Sequence, residues 1–188
     1  MKANEQGIGE NMPAELKYYD LHTRHHGLSQ SVACSYAEAA TVCFDRHHQT
    51  AVELEIKDNN AIVTALVNWP KVSDQTKAVW NNNIDATEAG ASAIALAAVE
   101  QTRGLVAVSR AETSTGADYY IDKPGAQIID LETSYRLEIS GTDASDHRQL
   151  GYRLTKKIKQ SQNGKSNLPA IACVVGFAVL KVAAEDVS

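Results

Sequence analysis

Gly116-Ala117-Asp118-Tyr119-Tyr120, followed at strand spacing by Arg136-Leu137-Glu138-Ile139-Ser140-Gly141, is where the fold of this chain is decided. In an extended chain the side chains alternate between two faces, so Asp118 shares a face with Tyr120. Glu138 shares one with Ser140, while Leu137 and Ile139 take the other. Each segment then carries one carboxylate on the side that its apolar neighbours avoid. Two carboxylates on adjacent strands can hold a hard divalent cation, which is the usual means of activating water against a phosphodiester.

Working outward, a Thr113-Ser114-Thr115-Gly116 turn folds a strand over Leu105 to Val108 back into Ala117 to Ile121. Before it, Asp85-Ala86-Thr87-Glu88 fits a capping box with Asp85 at the N-cap, opening an alanine-rich helix to about Arg103. That helix is apolar nearly all round and is expected to be a buried spine. After Tyr120, Lys123-Pro124-Gly125 turns the chain, Ile128-Ile129 gives a brief extended piece, and Tyr135 to Ser140 forms the strand that bears Glu138. Ser145 can cap a helix with an apolar stripe at Leu150, Leu154 and Ile158, its other positions filled by Arg148, Arg153, Lys156, Lys157 and Lys159. Asn163-Gly164 stops it. Ala170 to Val182 reads as one strand buried on both faces, bent at Gly176.

The first half reads as an addition to this core. Residues 1 to 15 are polar, with Gly7, Gly9 and Pro13, and read as a loose terminus. Tyr18 to Leu21 suggests a short strand, Ser29 or Ser31 caps a helix running to about Arg46, and Val52 to Val67 is a hairpin turning at Asp58-Asn59-Asn60. Ser73-Asp74-Gln75 opens a short helix anchored by Val79 and Trp80. The expected organisation is a single α/β (α+β) domain: a loose terminus over 1–15, a helix and β-hairpin addition over 16–84, and an αβββαβ core over 85–188, with a mixed central sheet flanked by helices.

From Asp85 onward the chain resembles the PD-(D/E)xK nuclease-like superfamily, whose core has this element order, an aspartate on the second core strand and Glu-x-Lys on the third. The resemblance covers about the last hundred residues and implies a restriction-endonuclease-like core. Carried over by position, Asp118 and Glu138 are the implied metal ligands, and Glu88 stands where some members place a helix carboxylate. The implied cofactor is Mg²⁺. Ser140 occupies the family's lysine position and cannot supply its positive charge. In some relatives that cation comes from the following helix, which makes Lys156 and Lys157 the catalytic candidates, with Gln149, Tyr152, Arg153 and Lys159 facing nucleic acid. A similar Gly-Ala-Asp-Tyr-Tyr and Leu-Glu-Ile-Ser-Gly pattern in uncharacterised bacterial proteins brings no activity with it.

Each site residue also has a structural explanation. Glu88 can cap a helix, Asp118 can bond a tyrosine hydroxyl, and Glu138 can pair with Arg136 or Arg110 across a sheet. The functional reading is therefore a metal-dependent nuclease or, alternatively, a non-enzymatic module: a component of a bacterial assembly or a toxin-neutralising protein with a protein partner. A third reading is a metal-free nucleic-acid binder working through Arg153, Lys156, Lys157 and Lys159.

Composition excludes more than it selects. A net charge of -5 over 188 residues, 44% of them hydrophobic, argues against indiscriminate coating of nucleic acid and for a single domain with a sizeable core. There is no apolar run long enough for a transmembrane helix, so no membrane partner and a cytoplasmic location are expected. Cys34, Cys43 and Cys173 lack metal-ligand spacing and read as buried thiols. His22, His25, His26, His47 and His48 lack the spacing of a hydrolytic zinc motif and read as surface or packing histidines. GxSxG and GxxxxGK[ST] motifs are absent, and Gly7-Ile8-Gly9 lacks a third glycine.

Overall fold

The computed structural model describes residues 12–126, 131–144 and 146–187. The expected loose start through residue 11, the Ile128-Ile129 piece and the Ser145 cap lie outside them. In chain order come β1 (Ala14–Glu15), a short 3₁₀ turn (Leu21–Thr23), α1 (Gln30–His47), β2 (Val52–Asp58), β3 (Ala61–Val67), α2 (Asp74–Val79) and α3 (Asn83–Arg103). Then follow β4 (Val106–Arg110), β5 (Tyr119–Asp122), β6 (Tyr135–Thr142), α4 (His147–Gln162), β7 (Ala170–Gly176) and β8 (Lys181–Val187).

All eight strands join one mixed sheet in the order β1-β3-β2-β8-β7-β6-β5-β4. β4, β5 and β6 form an antiparallel meander, and β6 pairs in parallel with β7 after the α4 crossover. β8 returns antiparallel to β7 and lies parallel to β2, so the N-terminal hairpin extends the same sheet.

Helices cover both faces. α3 packs on the face carrying Leu137, Ile139, Ile171, Cys173 and Val175, with α1 beside it. α4 covers the other face, setting Leu150 and Leu154 on Ala172, Val174 and Ala183. Ala86, Ala91, Ala93, Ile94 and Ala95 of α3 are fully buried, as expected for a spine. Close approach is what the small residues permit: a Cβ on Gly141 of β6 would lie 2.9 Å from Ala91 Cβ and nearer still to the Thr87 carbonyl. Phe44 of α1 stacks on Trp69 and meets Phe177 edge-on, with ring centroids 5.4 and 5.1 Å away. These rings seal the hairpin end of the core.

Four expectations are corrected. Ala170 to Val182 is two strands rather than one, because the chain reverses through residues 177–180, with Leu180 at φ 50°, into β8. Tyr18 to Leu21 is not a strand, since Asp20 takes a left-handed conformation (φ 52°) and leads into the 3₁₀ turn. α3 begins one turn earlier than Asp85: Asn82 is the N-cap, and its side chain accepts from the Ile84 and Asp85 N–H groups while donating to Asp85 Oδ2 at 2.8 Å. Cys34 is exposed, whereas Cys43 and Cys173 are buried, each thiol pushed up to about 12 by burial.

Candidate functional site

The site begins as a notch in the sheet. β5 starts at Tyr119, opposite Leu137, while β6 continues to Thr142. The Ile139 N–H donates instead to the carboxylate of Asp118, at 2.8 Å from Oδ2. The Asp118 N–H donates to Leu137 O, also at 2.8 Å. One carboxylate oxygen thus caps the β6 backbone, and Oδ1 remains 3.8 Å from Arg110 Nη2.

Along the other face of β6, alternate residues meet α4 at intervals of one turn. Arg136 Nη1 donates to Ser161 O at 3.1 Å, Lys157 Nζ sits on Glu138 Oε1, and Arg153 Nη1 reaches Ser140 Oγ at 3.5 Å. The match is geometric, because two strand residues span about 6.6 Å and four helical residues about 6 Å. Ser140 thereby meets a basic side chain of α4, Arg153.

Glu138 is the most buried acid here, with its side chain 4% exposed. Burial pushes its carboxyl above the ordinary glutamate range; the Lys157 ammonium works against that rise and the negative charge of Asp118 adds to it. Lys157 also donates to Gln160 Oε1 at 3.2 Å. These contacts fix the ammonium between the strand and the last turns of α4.

The surrounding wall is held rigidly. Arg136 is buried, and its guanidinium donates to the carbonyls of Thr115 (2.6 Å), Ser161 (3.1 Å) and Leu168 (3.0 Å). Ser161 lies in the last turn of α4, where carbonyls lack intrahelical partners and favour a cation. The loop before β5 is thereby tied to the end of that helix. Its fit depends on Gly116, at φ 70° with Gln160 O 2.9 Å from where a Cβ would stand, and on Gly164 packed against Thr115 O.

The result is a cleft of about 870 Å³ lined by Asp118, Glu138, Ser140 and Lys157, by Glu88 and Ser92 of α3, by Tyr36 of α1, and by residues 110–114, 116–117 and 163–165. Tyr36 and Tyr119 share a hydroxyl–hydroxyl bond of 2.9 Å. Arg110 lies 4.7 Å above the Tyr119 ring and donates to Tyr36 OH at 3.2 Å. Burial raises the Tyr119 phenol, and the Tyr36 hydroxyl adds to the rise.

The candidates named from sequence separate here. Asp118, Glu138, Lys157 and Glu88 line the same cleft. Lys156 points elsewhere, its ammonium 4.5 Å over the exposed Tyr152 ring. Gln149, Arg153 and Lys159 are exposed on α4 with Tyr152. Asp118 bonds a backbone amide rather than a tyrosine, and Glu138 pairs with Lys157 rather than with Arg136 or Arg110. Arg110, Tyr36, Glu112 and Lys165 also line the cleft; sequence reasoning did not place them there. A basic residue ending the strand that pairs with the Asp118 segment was the available signal for Arg110.

Two hard carboxylates suit Mg²⁺, which keeps several waters and takes further oxygens from a substrate phosphate. Among the described residues no group of three or more His, Cys, Asp and Glu side chains is arranged to hold a metal, so Glu88 supplies no third ligand. Of the histidines, His25 serves packing: it is fully buried, accepts from the Ala107 N–H at Nδ1 (3.0 Å) and bonds Glu100 through Nε2 (3.1 Å), whereas His26 and His47 are exposed. Among the described residues no helix is long and apolar enough to cross a membrane.

The fold and cleft define an α+β protein with helices on both faces of an eight-stranded mixed sheet and an acidic-basic notch at the β5–β6 edge. No protein-family model, curated protein or solved structure matches the chain.

Proposed function

We propose that this chain is a divalent-metal-dependent nuclease with a PD-(D/E)xK-like core, in which Asp118 and Glu138 hold Mg²⁺ and Lys157 replaces the lysine that Ser140 lacks. The observation that carries the reading is the Lys157 ammonium resting on Glu138 inside the cleft that Asp118 also lines. The run from α3 through β7, with its meander and parallel β6–β7 pair, supports the same core.

A bound divalent cation would polarise a phosphodiester and lower the pKa of a ligated water. Asp118 and Glu138 would hold it. Lys157, anchored by Glu138 and Gln160, presents a positive charge where negative charge grows on the phosphate, and Arg136 keeps the loop wall in register by holding Thr115. The exposed face of α4, with Gln149, Tyr152, Arg153, Lys156 and Lys159, offers backbone contacts and one aromatic ring to nucleic acid.

The test is cleavage of labelled DNA and RNA in Mg²⁺ or Mn²⁺. Asp118→Ala and Glu138→Ala should each reduce cleavage by at least about 10²-fold while the proteins stay folded, as expected when a group that stabilises transition-state charge is lost. One observation favours a second reading, a protein-interaction module: each of the two carboxylates already faces a basic side chain of the chain itself, Asp118 facing Arg110 and Glu138 facing Lys157. Folded wild-type protein that cuts neither nucleic acid would select that reading.

A further inference from the structure

Resting on that reading, we propose that Arg110 is a second phosphate-binding arm, and that Arg110 and Lys157 are each parked on a carboxylate until a divalent cation displaces them. Metal loading then precedes and creates the polynucleotide site.

The Arg110–Asp118 pair differs from an ordinary structural one, whereas Lys157 sits directly on the buried Glu138. Arg110 stands 3.8 Å from Asp118 Oδ1, too far for a hydrogen bond, with its side chain 58% exposed. Its guanidinium is instead steered by the Tyr119 face and the Tyr36 hydroxyl. A planar, pre-oriented guanidinium with donors left over suits bidentate phosphate recognition. Lys157 takes the corresponding place on Glu138. The carboxylates are thus flanked by one cation from the strand side and one from the helix side.

Charge balance gives the order of events. The cleft is lined by four carboxylates, Glu88, Glu112, Asp118 and Glu138, and by three cations, Arg110, Lys157 and Lys165. One negative charge is in excess, so phosphate gains nothing by entering. A divalent cation on Asp118 and Glu138 reverses the sign and takes over the carboxylate oxygens, leaving both arms for phosphate oxygens. Linkage requires the reciprocal effect, with polynucleotide tightening cation binding by the same factor.

Fluorescence anisotropy of a labelled single-stranded oligonucleotide, with EDTA or with Ca²⁺ as a non-cleaving probe cation, tests this without turnover. Wild type should bind at least about tenfold tighter with Ca²⁺, in the usual range of coupling between two sites. Arg110→Ala should lose most of that gain and Arg110→Lys should keep part of it, while Arg110→Ala, freed of the competing guanidinium at Asp118, binds Ca²⁺ in calorimetry at least as tightly as wild type. Equal affinity with and without Ca²⁺, or a full gain in Arg110→Ala, overturns the proposal. Metal-dependent cleavage alongside an uncoupled oligonucleotide would sink this inference alone, whereas coupled binding without cleavage would leave it standing and remove the nuclease reading.

Discussion

Glu138 is costly where it stands. Because burial raises its folded-state pKa above the unfolded value, the native state holds the proton more tightly, and stability falls as pH rises from the ordinary glutamate range through the raised one. Glu138→Gln removes that penalty and is expected to unfold within about 1 kcal/mol of wild type at pH 8, or to be more stable, while losing metal-dependent cleavage. Lys157→Met should do the reverse. It leaves a buried carboxylate without its cation, at a cost of about 1–3 kcal/mol in urea unfolding at pH 8. The deficit should shrink at pH 5, where Glu138 can take a proton; an equal loss at both pH values would show that charge pairing is not what Lys157 contributes. At this scale the sequence told half the story. Strand alternation singled out Asp118 and Glu138, and the family resemblance named Lys157 together with Lys156; of these, Asp118, Glu138 and Lys157 line one cleft, whereas the Arg110–Tyr36–Tyr119 group joins residues 74 and 83 positions apart through Tyr36, and no local pattern reports such a meeting.

Between elements, the contact of α3 with β6 sets the position of the notch, since Gly141 lies two residues beyond Ile139 on the strand whose amide Asp118 caps. Gly141→Ala would push a methyl group into the Thr87 backbone and Ala91. Overpacking of this kind costs about 1–3 kcal/mol, lowering the unfolding midpoint by roughly 2–4 °C per kcal/mol for a chain of this size. Calorimetry of that variant checks the packing, and an unchanged midpoint would mean that α3 can withdraw from the strand. The elements themselves were read from sequence where a pattern ends sharply, as at Ser73 and Asn163, each of which caps its helix, while of Ser29 and Ser31 it is Ser29 that caps α1. They were misread where it does not. β7 is buried at every position, so no polar alternation along it announces the reversal at residues 177–180. At the start of α3, Asn82 with Asp85 and Asp85 with Glu88 both have cap-like spacing, and the earlier pair forms the cap.

For the whole molecule, the sheet is finished differently at its two edges. β4 is closed by the segment around His25 and Gly27, whose N–H donates to Ala107 O at 2.8 Å while the Ala107 N–H donates to His25. β3 is covered by β1 at Ala65 and Leu66, and Ile62 remains 61% exposed. His25 must stay neutral at Nδ1 to accept that bond, and burial lowers its folded-state pKa. The unfolded chain therefore binds this proton first, and stability is lost as pH falls through about 6.5, the ordinary histidine value. Urea midpoints should drop between pH 7 and pH 5 in wild type and drop less in His25→Gln; equal slopes would remove His25 as the cause. The order of elements from α3 to β7 was legible in full, whereas the joining of the N-terminal hairpin to the same sheet through β8 was not, because that pairing links residues more than a hundred positions apart.

The central proposal for the cleft is that Asp118 and Glu138 share one divalent cation. Calorimetric titration of Mn²⁺ into wild type, Asp118→Ala and Glu138→Ala measures that directly. One site in wild type, lost in both folded variants, is the predicted result; no Mn²⁺ binding in wild type, or equal binding in all three proteins, would contradict it.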